Sequence, residues 1–159
     1  MSKHKLKHSW TIYAHLPNIV DWSIKSYKKI MTIHYVEDLL ELYRHLSTNV
    51  IQSCMLFIMK EDICPLWEDK ENINGGSFSY KLSNKIVESI WKELSFLLIG
   101  ETLIKKYPEQ VNGITISPKK HFCIIKIWLK SCNYIDPKIV TYPNNLSHSG
   151  CLFKKHLTT

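Results

Sequence analysis

The stretch "VNGITISPKKHFCIIKIWLK" occupies residues 111–130. Two runs rich in β-branched and aromatic residues, 111–117 and 122–130, flank the short segment "PKKH". This pattern predicts a β-hairpin with a basic tip, and therefore an antiparallel sheet. Side chains alternate across a strand. In the second run Cys123, Ile125, Ile127 and Leu129 share one face, and Phe122, Ile124, Lys126 and Trp128 share the other. The purely apolar set is the better core face, so Trp128 is assigned to the opposite, ligand-facing side.

Working outward, "KKIMTIHY" (28–35), "QSCMLFIMK" (52–60), "SFSYKL" (77–82) and "KIVTY" (138–142) read as further strands. "VEDLLELYRHL" (36–46) carries Val36, Leu39, Leu40, Tyr43 and Leu46 at helical spacing. The strongest helix is "SNKIVESIWKELSFLLIGE" (83–101), with Ser83 or Asn84 as its cap and Gly100 at its end. Two helices and a mostly antiparallel sheet define an α+β fold. We expect a curved sheet with the helices on its convex face and the ligand site on its concave face. One domain is expected over 1–159, with a basic tail at about 1–8 and a loop-like tail at about 143–159. No repeat or linker interrupts it.

The composition is that of a globular protein, 45% hydrophobic and 22% charged. The longest apolar run, "CMLFIM" (54–59), is far too short to span a bilayer, and no secretory signal is recognised at the N-terminus. Five cysteines without CxxC spacing point to a reduced, intracellular protein with no disulfide framework or structural zinc. The net charge of +7 suggests an anionic partner such as nucleic acid or a nucleotide, although basic surfaces also serve solubility. Arg44 is the only arginine, a lysine bias that an AT-rich genome would produce.

Of the five tryptophans, Trp91 falls on the helix stripe and Trp10 near an amphipathic start, which assigns both to the core. Trp22 and Trp67 fall in loops. Two loop tryptophans either plug gaps against the sheet or form a stacking sandwich for a base. A cationic ring would gain further from the electron-rich indole face. Glu68, beside Trp67, is placed to accept two hydrogen bonds from a guanine edge. No HExxH, GxSxG or phosphate-cradling Gly-rich loop is present, and Gly75-Gly76 reads as a turn before a strand. No catalytic residue, cofactor or metal site is assigned.

Six motifs then occur in order. They are "HKLKHSW" (4–10), "VEDLLELYRHL" (36–46), "PLWEDKENINGGSF" (65–78), "IWKELSFLLIGE" (90–101), "IKIWLKSC" (125–132) and "HSG" (148–150). Their order and spacing resemble the eukaryotic translation initiation factor 4E family, the messenger-RNA cap-binding proteins. The resemblance implies that Trp22 and Trp67 sandwich the 7-methylguanine of the cap, that Glu68 reads the guanine edge and that Trp128 contacts the N7-methyl group. It aligns Lys119 with an arginine that holds the cap phosphates. Ile124 and Ser77 stand where the family carries further basic residues, and Lys126 or Lys120 is expected to substitute. The family's scaffold-binding surface maps to Val36, Leu40, Glu93 and Phe96, with Leu40 replacing an anchoring tryptophan.

The expected function is non-enzymatic: binding capped messenger RNA and recruiting it for translation initiation. The alternatives are a cap-binding repressor or decoy without standard scaffold binding, and a general single-stranded RNA binder. The implied partners are capped messenger RNA and, on the convex helices, an initiation scaffold or 4E-binding protein altered by Leu40. No membrane partner is expected, and the protein is expected to be a cytoplasmic monomer, in the host cytoplasm if viral. The family's third long helix is missing after Trp128. Its absence implies a shortened member, and together with the lysine bias it suggests a divergent source, a parasite or a large DNA virus.

Overall fold

The computed structural model describes residues 2–157. Seven strands form one sheet: β1 (Lys5–His15), β2 (Lys28–Tyr35), β3 (Met55–Lys60), β4 (Gly76–Ser83), β5 (Val111–Pro118), β6 (Phe122–Leu129) and β7 (Leu152–Lys155). Their order is β2-β1-β3-β5-β6-β4-β7, and every neighbouring pair is antiparallel. The helices are α1 (Val36–His45), α2 (Thr48–Ser53) and α3 (Val87–Ile99). The sheet is curved and the fold is α+β.

Strand alternation divides the molecule. Trp10 and Ile12 of β1, Leu56 and Ile58 of β3, Phe78 and Tyr80 of β4, Ile114 and Ile116 of β5, and Cys123, Ile125 and Ile127 of β6 enter the main core. There they meet Leu39 of α1, Ile51 of α2 and Trp91, Leu94 and Leu98 of α3. The opposite face holds a small separate cluster of Phe57, Met59, Ile63 and Trp128. The hairpin that joins β5 to β6 has the face assignment expected from its alternation.

Several elements differ from expectation. Lys5 to His8, assigned to the basic tail, already belong to β1, whose Trp10, Ile12 and Ala14 point into the core. Residues 138–142 do not form a strand. Asp136 caps a single 3-10 turn at Pro137–Ile139 by accepting the Lys138 amide at 3.0 Å. The helix expected from residue 83 begins at Val87, because Ser83 still pairs with Phe122 in the sheet. Beyond it, the left-handed residue is Glu101 (φ 56°), not Gly100. The C-terminal segment, expected as loop, contributes β7 on the free edge of β4.

The glycine pair also has another purpose than a turn. Gly76 opens β4, and both glycines lie where neighbouring backbones come too close for a side chain. A Cβ at Gly75 would lie 1.8 Å from the Leu129 carbonyl oxygen, and one at Gly76 2.5 Å from that of Lys154. Gly75→Ala is therefore expected to push β6 away and lower stability by about 1–3 kcal/mol. A urea unfolding curve with an unchanged midpoint would show that no such contact exists.

Candidate ligand-binding cleft

A cleft of about 450 Å³ opens on the sheet face that carries no helix. Two adjacent cross-strand rows run beneath it and supply Phe57, Ser77, Ser79, Lys126, Trp128 and Lys154 to its lining. One runs Met59, Gly113, Trp128, Ser77 and Lys154; the other runs Phe57, Thr115, Lys126, Ser79 and Leu152. Trp128 is nearly buried, and its indole N–H donates to Thr115 Oγ1 at 3.3 Å. Phe57 meets Trp128 edge-on at 6.3 Å between centroids, and His156 tilts against Trp128 at 5.0 Å. The floor is thus aromatic, held by geometry that aromatic rings favour.

Trp22 and Trp67 both line this cleft and remain 53% and 45% exposed. Rings this large and this open are a cost to a protein unless something covers them. Beneath Trp22 lies the buried His15, stacked at 3.8 Å with the planes 1° from parallel. His15 Nε2–H donates to the Asp21 carbonyl at 2.8 Å. The Asp21 carboxylate in turn accepts the Ser23 amide at 2.8 Å and the Ser23 hydroxyl at 3.0 Å. The Ser23 bonds hold its carboxyl below the ordinary value. The loop that carries Trp22 is therefore tied at three consecutive points.

Trp67 and Glu68 ride on a loop organised by two side chains. Asp69 accepts the amides of Cys64 at 2.9 Å and Glu71 at 2.8 Å. Asn72 is fully buried and donates to the carbonyls of Cys64 at 3.2 Å and Leu66 at 2.8 Å. Its oxygen accepts from Asn112 at 2.9 Å. Buried amides satisfied in this way fix a loop against the sheet. Glu68 is exposed beside the cleft and, among the described residues, has no ion-pair partner. Glu68 and Tyr27 line the same cavity; burial raises the Tyr27 phenol above its ordinary value, and the Glu68 charge raises it further.

Of the predicted lysines, only Lys126 lines the cleft. Lys119 lines an adjoining groove beside Trp22, and Lys120 is exposed on the hairpin tip and lines neither. Burial holds the Lys126 ammonium below the ordinary lysine value, and the charges of Lys154 and Lys119 add to the effect. Val36 and Leu40 lie on α1, and Glu93 and Phe96 on α3, all remote from the cleft in the helical layer. Leu40 is 47% exposed. Sequence reasoning missed His15, Tyr27, Phe57, Lys154 and His156. Recognising β1 from its alternation would have exposed His15. No local signal marks His156.

Fold and cleft together define an α+β domain whose open sheet face presents paired exposed indoles, a free carboxylate and lysines. The family model described as eukaryotic initiation factor 4E matches residues 5–146. The chain belongs to that family. Eukaryotic translation initiation factor 4E-2 of Schizosaccharomyces pombe is 29% identical over 137 residues, covering 82% of this chain. The match spans about half of that relative, 55% of its length. A schistosome eIF4E, solved with m7GpppG and a 4E-BP, superposes with a TM-score of 0.74 at 29% identity, over 84% of this chain and 75% of that one. Caenorhabditis elegans eIF4E-3, solved with the 4E-binding protein Mextli, has the same fold with a TM-score of 0.82 at 18% identity, over 98% and 94%.

His156 gives the cleft floor a pH dependence. Its Nδ1–H donates to the Asn72 carbonyl at 2.7 Å, so the neutral ring accepts the Ser77 hydroxyl at Nε2, also at 2.7 Å. Burial lowers its basicity, Lys126 lowers it further and the bond to Asn72 opposes them. The folded state then binds its proton less readily than the unfolded chain. The contribution to stability is full above the unfolded value of about 6.5 and is lost as pH falls through the lower native one. Thermal unfolding of His156→Gln between about pH 7 and pH 5 is expected to depend less on pH than that of the parent. Equal slopes would show that His156 carries none of the effect.

Proposed function

We propose that the chain binds the 7-methylguanosine cap of messenger RNA in this cleft and brings capped messages to translation initiation. The observation that carries the reading is the pairing of two half-exposed indoles, Trp22 and Trp67, on one cleft with an unpaired carboxylate, Glu68. N7-methylation makes guanine cationic. A cationic ring between indoles gains cation–π attraction beyond the roughly 1–3 kcal/mol of ordinary base stacking. Glu68 accepts the N1–H and N2–H of the same ring in charge-assisted hydrogen bonds. Trp128 faces the methyl group, and the Lys119, Lys120 and Lys126 ammonium groups serve the phosphates. The schistosome relative, solved with m7GpppG, supports this assignment.

The role is that of a binding protein without a reaction of its own, acting as a single cap-binding domain in the cytoplasm. No helix in the described residues is long and apolar enough to cross a membrane. On the other side, Val36, Leu40, Glu93 and Phe96 form the surface for a scaffold or 4E-binding partner. Leu40 offers that partner a smaller anchor than an indole.

Tryptophan fluorescence quenching with 7-methylguanosine triphosphate against guanosine triphosphate tests the cap reading. The methylated ligand is expected to bind at least about tenfold tighter. Trp67→Ala and Glu68→Gln should each abolish most of that preference. Equal affinity for the two ligands would defeat it. For the helical surface, Leu40→Trp is expected to tighten binding of a Y-x-x-x-x-L-Φ peptide (Φ apolar) by about tenfold, as an interface anchor would. An unchanged peptide affinity would remove Leu40 from the contact.

A further inference from the structure

Ser77 stands where the resemblance places a basic residue, and its own side chain is uncharged. Its hydroxyl is engaged by His156 at 2.7 Å. Directly opposite Ser77, across the β4–β7 ladder, lies Lys154. Directly opposed residues on an antiparallel pair project from the same face with their Cβ atoms about 5 Å apart. Phe153, one position earlier, packs edge-on against Phe78 in the main core at 5.7 Å, so alternation turns Lys154 to the open face. Lys154 is exposed and lines the cleft.

On the other side of β4, Lys126 lies opposite Ser79. The two lysines therefore flank the same pair of small residues, Ser77 and Ser79, one from each neighbouring strand. Among the described residues neither lysine has a carboxylate within ion-pair distance. Both lysines line the same cleft, and after burial the Lys154 charge is among the causes that lower the basicity of Lys126. Two unneutralised cations converging over serines leave room and charge for an anion between them.

We propose that Lys154 supplies the phosphate-binding cation that position 77 lacks, so that Lys154 and Lys126 clasp the cap polyphosphate from the two sides of β4. This rests on the cap reading of the cleft. It makes β7 part of the binding site: its main chain completes the sheet edge, and its lysine closes the phosphate end of the cleft. Charge has moved one strand outward while keeping its place in the row that contains Trp128.

Binding of 7-methylguanosine triphosphate and of the phosphate-free nucleoside, 7-methylguanosine, to the full chain separates the outcomes. Lys154→Ala, a change at an exposed position, is expected to weaken the triphosphate about tenfold and leave the nucleoside unchanged. Lys154→Arg should retain affinity, and Ser77→Lys in the Lys154→Ala background should restore it. Wild-type triphosphate affinity in Lys154→Ala, or an equal loss of both ligands, would overturn the assignment while leaving the cap reading intact. Failure of the unmodified protein to bind either ligand would overturn both.

Discussion

The apolar alternation of β6 is the constraint from which the rest follows. Cys123, Ile125, Ile127 and Leu129 are all essentially buried under the helical layer. A strand has a period of two, so Lys126 and Trp128 have no choice of face. A one-residue slip would bury a lysine and an indole under the helices and expose four apolar side chains. The register that stabilises the core is therefore the one that presents the cleft floor. The same holds for β4, where Phe78 and Tyr80 face inward and Ser77 and Ser79 outward. Small residues on the open face of β4 make depth, and large ones on β3 and β6 make the floor.

A floor alone holds no ring in place. The walls come from two loops that would be mobile without internal ties. Each is fastened by polar side chains whose hydrogen bonds go to backbone groups: Asp21 and His15 for one, Asp69 and Asn72 for the other. Asn72 also links the loop to β5 through Asn112, and its carbonyl receives His156 from beyond β7. Loop, sheet and C-terminal segment thus meet at one buried amide. Pre-positioned walls reduce the ordering cost of binding, which is where small-ligand sites gain affinity.

How much of this was legible in the sequence depends on whether the signal was local. The hairpin 111–130, α1, and the adjacency of Trp67 and Glu68 are local patterns, and their element types follow from spacing. The first and last strands of the chain were harder. β1 begins in a lysine- and histidine-rich run, and charge masked the alternation of Trp10, Ile12 and Ala14. β7 is four residues long with Phe153 as its only core contact, and it exists because β4 offers a free edge. Nothing within "CLFKKHL" announces that edge. The site residues it brings, Lys154 and His156, were invisible for the same reason. Conversely, "KIVTY" has strand-like composition but no partner, and Pro137 with its Asp136 cap bends it into a turn.

The segment between β6 and β7 shows why a member of this family can be short and keep its cleft. The resemblance leads one to expect a long helix there, on the side of the sheet away from the ligand. This chain runs through turns instead, fastened by tyrosines. Tyr142 donates to the Pro137 carbonyl at 2.7 Å and accepts the buried Tyr80 hydroxyl at 2.7 Å. Tyr134 stacks on Tyr107 at 3.8 Å. Val140 and Leu146 cover the core that a helix would otherwise shield. The sheet needs its helical face closed to water, and here two apolar side chains and two tyrosine pairs take part in that closure. The open face is under a different constraint, because its two central rows carry the aromatic floor, the serines and the lysines that line the cleft. Between β6 and β7 the shortening thus falls on the face that packs, and the rows of the open face stay continuous from β3 to β7.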